Sequence, residues 1–178
     1  NFMPLEAFMV LPEKPRTVLA LDGVTNPQNV GMIIRSAVAA GVDGLLYPKR
    51  GIASLGPLVI KASAGNVFRA PMIRCDSTVA AVTALKAKGY QVATLEASAT
   101  TSLFEFNAAD NLVCVLGAES EGIGREVAVL ADTRLTIPMA NGVESLNVAV
   151  TAALVSFHLG QTPDWGLPSG GGSVSPGG

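Results

Sequence analysis

Short apolar runs alternate with amphipathic segments along most of the chain. Runs typical of strands are found at 17–22, 44–47, 72–75, 90–96, 111–117 and 134–138. Segments with helical spacing or helix-end signals are found at 27–41, within 57–65, and at 78–89, 125–131 and 145–159. About six strands alternating with helices predict an α/β fold, in which a mostly parallel sheet is flanked by helices.

Three segments give sharper expectations than the rest. Asn26 and Pro27 predict the cap and first position of a helix whose apolar residues then recur with helical spacing. The run 111–117 is apolar throughout, which predicts a central strand buried on both faces. The last helix, 145–159, is apolar on nearly every side, which predicts burial against more than one surface.

The ends of the chain differ from its middle. Residues 1–16 contain three prolines and no sustained period, which predicts an N-terminal arm or linker. Residues 161–178 are rich in Gly, Ser and Pro and predict a flexible tail. A single domain over 17–160 is therefore expected.

Charge is unevenly distributed. The net charge of −2 combines ten basic and five acidic residues before position 90 with two basic and nine acidic residues after it. The whole chain is thus not held to nucleic acid by bulk charge, but its first half is basic.

Cysteine usage and hydropathy exclude several classes of protein. Cys75 and Cys114 are far apart and lie in or beside apolar runs, so they predict small buried side chains and neither a zinc site nor a disulfide framework. The chain has no uninterrupted apolar stretch long enough for a membrane span and no signal-peptide pattern. We therefore expect a cytoplasmic protein without a metal.

The glycine-rich loops do not match common nucleotide-binding motifs. The loop after the first predicted strand lacks G-x-G-x-x-G, which disfavours a nucleotide-dependent oxidoreductase on a Rossmann sheet. The stretch from Gly117 to Gly124 has P-loop spacing, but it lacks the Lys and Ser or Thr, and its glutamates would repel a triphosphate. It is either a tight strand-to-helix turn or a site where Glu119 and Glu121 meet hydroxyls, amines or a cationic centre.

The segment before the last helix concentrates polar signals. Pro138 closes a predicted strand, Asn141 and Gly142 predict a turn, and Ser145 can cap the helix that follows. Asn147 falls in the predicted first turn. It is either a capping or satisfied buried residue, or part of a helix N-terminus that favours an anionic group.

These three segments together resemble the signature motifs of the SpoU (TrmH-type) RNA 2′-O-ribose methyltransferases of the SPOUT superfamily. The matching stretches are 21–42, 112–127 and 135–154, and the resemblance spans about 17–160. It implies a C-terminal trefoil knot, a rare exception to unthreaded connections. It also implies S-adenosylmethionine as the cofactor, ribosomal or transfer RNA as the substrate, and a homodimer packed near the knot.

Carried over by position, the motifs imply a set of site residues. The catalytic positions are Asn29, Arg35, Glu119, Ser145 and Asn147. The cofactor pocket is formed by Leu116, Gly117, Glu119, Ile137, Pro138, Met139, Ser145 and Leu146. Arg35 would hold the substrate phosphate and stabilise the emerging oxyanion, since a guanidinium hardly ever deprotonates and is a poor base. Asn29 would position Arg35 or the hydroxyl, and Glu119 would orient one of these side chains.

RNA contacts are expected from the basic first half. The candidates are Lys49, Arg50, Lys61, Arg69 and Arg74. Many relatives carry an N-terminal RNA-binding domain, so substrate capture here would use the catalytic domain, a partner or a segment absent from this chain. The alternative function is a non-catalytic RNA- or S-adenosylmethionine-binding module on the same fold.

Overall fold

A computed structural model describes residues 2–12, 16–108, 110–118 and 120–160. These residues form an eight-stranded parallel sheet with strand order β1-β4-β3-β2-β7-β5-β8-β6. The strands are β1 (Phe2–Pro4), β2 (Arg16–Asp22), β3 (Gly44–Pro48), β4 (Met72–Cys75), β5 (Gln91–Leu95), β6 (Thr101–Ser102), β7 (Asn111–Gly117) and β8 (Thr133–Thr136). The α/β class and parallel sheet are confirmed, and all six predicted strands are present.

The expected strand number of about six is wrong. The two additional strands, β1 and β6, lie at opposite edges of the sheet and have only three and two residues. A strand this short cannot show the two-residue alternation by which a strand is recognised in a sequence. The sequence pattern therefore identified the interior strands and missed both edges.

Helices cover both faces of the sheet. They are α1 (Leu5–Met9), α2 (Pro27–Ala39), α3 (Pro57–Ala62), α4 (Thr78–Ala87), α5 (Arg125–Ala128) and α6 (Val148–Leu159). Helices α2, α3 and α6 contribute to one hydrophobic cluster, and α1, α4 and α5 contribute to the other. Neighbouring residues of β2, such as Leu19 and Ala20, point into opposite clusters, as the pleat of a strand requires.

The expectation of an extended arm at 1–16 is wrong for residues 2–9. Strand β1 pairs with β4, and Leu5 and Phe8 of α1 are buried in the core. The Arg16 guanidinium donates to the carbonyl of Pro12 and lies 5.5 Å from the centre of the Phe8 ring. One helical turn with two buried residues is too short to show a period, which is why the pattern missed it.

The central strand and the first long helix agree with expectation. All five inner residues of β7 are buried between β2 and β5. Helix α2 begins after Asn26, whose side chain accepts a hydrogen bond from the backbone N–H of Asn29. Its residues Val30, Ile33 and Ile34 are fully buried. This places the amino end of α2 at the carboxyl edge of the sheet, directly after β2.

The last helix is buried on one side only. Residues such as Ala152 and Val155 pack into the core, whereas Val150, Leu154 and Phe157 are 49%, 37% and 53% exposed. These three residues are spaced four and three apart, so they share one face. The expected burial against a second surface is not made by the part of the chain that the structure describes.

Both cysteines are free and buried, as expected. Burial raises the pKa of Cys114 to about 12, and burial together with nearby Asp76 raises that of Cys75 to about 11. Within the described ranges, no helix has the length and apolar character needed to cross a bilayer. The same ranges contain no cluster of His, Cys, Asp and Glu side chains that could hold a metal ion. The predicted tail at 161–178 lies outside the described residues.

Candidate active site

A cleft of about 710 Å³ opens at the carboxyl edge of the sheet, where β5, β7 and β8 end. Its walls are the segments that follow these strands, together with the loop that leads into α6. The volume is in the range of small-molecule sites, and clefts at the carboxyl ends of parallel strands are the usual ligand sites of α/β sheets. This cleft is therefore the candidate active site.

The loop after β7 is held in place by close backbone contacts. Ala118 and Gly122 form an isolated bridge, and an added Cβ on Gly117 would lie 2.3 Å from the carbonyl carbon of Gly122. The backbone N–H of Gly124 donates to Oδ2 of Asp22 over 2.7 Å, which links the loop to the end of β2. Of the two readings that the sequence left open for this loop, the tight strand-to-helix turn is present.

The loop after β8 forms the opposite wall. Asn141 and Gly142 adopt left-handed conformations with φ of 56° and 73°, and the N–H of Val143 donates back to the carbonyl of Ala140. Two consecutive left-handed residues reverse the chain sharply, and Asn and Gly are the residues that tolerate this best. The predicted turn is confirmed, and it directs the chain back to the cleft.

Seven of the eight residues expected around a cofactor line this cleft. They are Leu116, Gly117, Ile137, Pro138, Met139, Ser145 and Leu146. The eighth, Glu119, lies outside the described residues. Residues at the end of β7 and in the loop after β8 thus meet in one cleft, although their roles stay predictions.

The cap of α6 differs from expectation. The helix begins at Val148, and its cap is Asn147, whose Oδ1 accepts hydrogen bonds from the N–H groups of Ala149 and Val150. The expectation that Ser145 caps the helix, and that the helix begins there, is wrong. Asn caps a helix as well as Ser does. Because the helix begins only after Asn147, Ser145 belongs to the loop before the helix and lines the cleft wall.

The cap residue also contacts the first motif. The Nδ2 of Asn147 donates to the Oδ1 of Asn29, with 3.2 Å between the two atoms. Neither residue lines the cleft, but Val148, which directly follows Asn147, does. Two of the five predicted catalytic residues therefore touch each other beside the cleft.

Arg35 is exposed on α2, six residues after Asn29. It is absent from the cleft wall and has no hydrogen-bond or ion-pair partner in the described ranges. An exposed, unpaired guanidinium is free to bind a phosphate bidentately. The structure thus brings Asn29 and Asn147 together, puts Ser145 in the cleft, and leaves Arg35 outside it.

The described lining of the cleft is acidic. It includes Glu96, Glu121 and Glu144 and contains no Lys, Arg or His. The sequence singled out Glu121 but missed Glu96 and Glu144. Glu96 could have been found because it is the last residue of the predicted strand 90–96, at the carboxyl edge of the sheet. Apolar walls with several carboxylates suit a ligand that combines a flat ring with hydroxyls or positive charge.

Two of the predicted RNA-binding residues have local partners. Lys49 forms an ion pair with Asp76, and this contact holds the pKa of the Asp76 carboxyl below its ordinary value. The Arg74 guanidinium lies 5.0 Å from the centre of the Phe2 ring, as in a cation–π contact. Lys49 directly follows β3, and Arg74 lies in the neighbouring strand β4.

The other three RNA-binding candidates are exposed. Arg50 follows β3, Lys61 is in the last turn of α3, and Arg69 follows the short 3₁₀ turn Asn66–Phe68. Phe68, beside Arg69, exposes 67% of its surface. None of the three has an ion-pair partner among the residues with described positions.

The profile of the SpoU rRNA Methylase family matches residues 16–157. The chain belongs to this family. The matched range contains the cleft, the Asn29–Asn147 contact and Arg35. The resemblance seen in the three motifs is confirmed.

Proteins similar to this SpoU-family chain are also described as RNA methyltransferases. A Staphylococcus saprophyticus protein assigned to the TrmH family of tRNA/rRNA methyltransferases is 38% identical over 147 residues, which are 83% of this chain and 59% of that protein. An S-adenosylmethionine-bound rRNA methyltransferase from Sinorhizobium meliloti superposes with a TM-score of 0.79 at 28% identity, over 89% of this chain and 60% of that one. An RNA 2′-O ribose methyltransferase superposes with a TM-score of 0.72 at 28% identity, over 83% and 57%. The chain spans less than two thirds of each of these proteins.

Proposed function

We propose that the chain is an S-adenosylmethionine-dependent methyltransferase that acts on a ribose 2′-hydroxyl of ribosomal or transfer RNA. One observation carries this proposal. The second and third motifs form a single cleft at the carboxyl edge of the sheet, and the Asn147–Asn29 hydrogen bond ties the first motif to its rim. Family membership and the methyltransferase relatives support it.

The residues of the cleft fit S-adenosylmethionine. Leu95, Leu116 and Ile137 supply apolar walls for an adenine ring. The absence of a side chain at Gly117 lets the loop after β7 fold closely against the end of the strand, because a Cβ there would lie 2.3 Å from the carbonyl carbon of Gly122. Carboxylates on the wall suit the positive charge of the sulfonium and ammonium groups. When bound, the cofactor supplies an electrophilic methyl group. The cleft volume of about 710 Å³ is well within the roughly 300–1,000 Å³ typical of small-molecule sites.

Arg35 is the residue that we assign to the RNA side of the reaction. Its guanidinium would hold the phosphate next to the target ribose and stabilise the charge that develops on the 2′-oxygen. Asn29 would position the hydroxyl or Arg35, and Asn147 fixes Asn29 through the hydrogen bond between them. Ser145 lines the cofactor cleft, and Glu119 would orient Asn29 or Arg35. Positioning of this kind can supply roughly 7–11 kcal/mol of barrier reduction.

We further propose a homodimer and a trefoil knot, as the family resemblance implies. The exposed apolar face of α6, formed by Val150, Leu154 and Phe157, supports a partner surface at this helix. Strand β8 inserts between β5 and β6, which both precede it, and a strand order of this kind is compatible with a threaded chain. RNA would be attracted by the exposed cations of the first half, and the reaction would take place in the cytoplasm.

Two experiments test this function. Transfer of a labelled methyl group from S-adenosylmethionine to total RNA distinguishes a methyltransferase from a non-catalytic binding module, which would bind the cofactor but leave the RNA unlabelled. Calorimetry with S-adenosylmethionine and with NAD distinguishes both from an oxidoreductase. The proposal predicts labelled RNA and binding of S-adenosylmethionine only. Tight NAD binding or unlabelled RNA would contradict it.

A further inference from the structure

Glu96 is held in a fixed position at the cleft wall. Its Oε2 accepts a hydrogen bond of 2.7 Å from the hydroxyl of Thr94, whose side chain is fully buried. The Nε of Arg134, on the neighbouring strand β8, lies 3.4 Å from the same oxygen. The backbone of Glu96 is fixed as well, because its N–H donates to the carbonyl of Leu135 over 2.8 Å.

The other carboxylate oxygen is available to a ligand. Oε1 of Glu96 has no hydrogen-bond partner among the residues placed by the structure, although the side chain is only 18% exposed. Glu96 itself lines the cleft. A carboxylate that is largely buried and oriented through one oxygen presents the second oxygen as a directional acceptor.

Its charge separates Glu96 from the other carboxylates of the cleft. Arg134 partly neutralises Glu96, whereas Glu121 and Glu144 have no basic partner in the described part of the chain. A neutralised carboxylate is a weak site for a cation but a good acceptor for neutral hydroxyls, and the two unpaired carboxylates are better placed to hold positive charge. An acidic side chain at the end of a parallel strand binds ribose hydroxyls in other nucleotide sites.

We infer that Glu96 binds the ribose hydroxyls of the cofactor and thereby selects a ribonucleoside ligand. The inference rests on the proposed function, because it assigns one part of the same cofactor to one residue. Thr94 acts as a positioning residue, since it donates to Glu96 and does not line the cleft. Arg134 sets the charge that Glu96 presents.

The test compares ligands with and without these hydroxyls. Calorimetry measures the Kd of S-adenosylhomocysteine and of its 2′-deoxy and 3′-deoxy counterparts, for the wild type, Glu96→Ala and the exposed control Glu126→Gln. The wild type and the control should bind at least one deoxy ligand about tenfold or more weakly, as expected when a hydrogen bond to a charged group is lost. In Glu96→Ala, the ratio of the Kd of the deoxy ligand to the Kd of S-adenosylhomocysteine (the deoxy ratio) should fall towards unity.

A second variant guards against a folding defect. Glu96→Ala leaves the buried Thr94 hydroxyl without its acceptor, so Thr94→Val combined with Glu96→Ala removes both partners and should keep the wild-type melting temperature more closely. It should show the same loss of discrimination.

The outcomes are distinct. A wild-type ratio retained in both Glu96 variants overturns the inference, as does a wild type that binds all three ligands equally. A selective loss of S-adenosylmethionine affinity, with S-adenosylhomocysteine and the deoxy ratio unchanged, makes Glu96 a cation site and also overturns it. If the wild type binds no S-adenosylhomocysteine at all, the proposed function fails together with the inference.

Discussion

The side-chain amide of Asn147 donates a hydrogen bond to the side-chain oxygen of Asn29, although the two residues are 118 positions apart. The contact joins the cap of α6 to the first turn of α2. Asn147 caps its own helix with its oxygen and reaches the other helix with its nitrogen. One side chain thus ends the cleft loop and fixes the first motif beside it.

The two functions of Asn147 can be separated by substitution. Asn147→Asp keeps the capping oxygen and loses the donor to Asn29, whereas Asn147→Ala loses both. We expect Asn147→Ala to lower the free energy of unfolding by about 0.5–2 kcal/mol, the usual cost of a lost cap, and Asn147→Asp to cost less. A double-mutant cycle of Asn147→Ala with Asn29→Ala, followed by urea unfolding, should give a coupling energy of about 0.5–1 kcal/mol. Strict additivity would show that the contact is not formed in solution.

Gly117→Ala should damage the cleft. The added Cβ would lie 2.3 Å from the carbonyl carbon of Gly122, so the loop after β7 must shift. We expect a loss of stability of about 1–3 kcal/mol and weaker binding of S-adenosylmethionine by calorimetry. Gly56→Ala is the matched control, because the nearest atom to its Cβ is 4.0 Å away. Equal effects of the two variants would contradict the close packing of this loop.

Arg50 should contribute more to RNA attraction than Lys49. Both residues are exposed, but Lys49 is already paired with Asp76. Arg50→Glu should weaken RNA binding and reduce the slope of log K against log salt by about one phosphate contact or more, whereas Lys49→Glu should change it less. Filter binding at several salt concentrations measures both slopes. An unchanged slope for Arg50→Glu would remove this residue from the RNA-binding surface.

Asp132 gives the fold a pH dependence. Its carboxylate accepts hydrogen bonds from Lys86 and from the N–H of Val92, and these contacts lower its pKa from the ordinary value of 3.8. A lowered pKa stabilises the folded state above pH 3.8, and this stabilisation is lost as the pH falls through 3.8 and then through the folded-state value. Thermal unfolding of Asp132→Asn should therefore differ from the wild type near neutral pH and converge with it in acid. If the difference in melting temperature between Asp132→Asn and the wild type grew as the pH fell, the ionised form of Asp132 would not be the stabilising one.

The sequence predicted those parts of the molecule that depend on local chemistry. Asn26 and Pro27 mark the start of α2 correctly because capping is decided within one turn. The seven described cofactor-site residues meet in one cleft because parallel strands end at the same edge. The contact between Asn29 and Asn147 could not be foreseen, because it depends on how α2 packs on α6 and no local pattern encodes it.

Other errors have equally physical causes. Ser145 and Asn147 are both good caps, and only the path of the loop decides between them. Strand β6 has two residues and is stabilised by its pairing with β8, so the segment has no strand pattern of its own. The position of Glu96 at the end of a predicted strand is visible in the sequence, but the contacts with Thr94 and Arg134 that hold its side chain are visible only in the fold.

Arg35 is the residue on which the proposed chemistry depends. It is exposed and lies outside the cleft wall, so its removal should leave cofactor binding nearly intact. Arg35→Ala should abolish methyl transfer, while calorimetry gives an S-adenosylmethionine affinity close to that of the wild type. Lys88→Ala, an exposed substitution at the end of α4, is the control for general loss of charge.

The most direct measurement is the identity of the methylated nucleoside. The purified protein is incubated with S-adenosylmethionine and unmodified ribosomal or transfer RNA, the RNA is digested to nucleosides, and the products are separated by mass spectrometry. We expect a 2′-O-methylnucleoside to be formed by the wild type and the Lys88→Ala control but not by Arg35→Ala. A base-methylated nucleoside, or equal amounts of product from the wild type and Arg35→Ala, would contradict it.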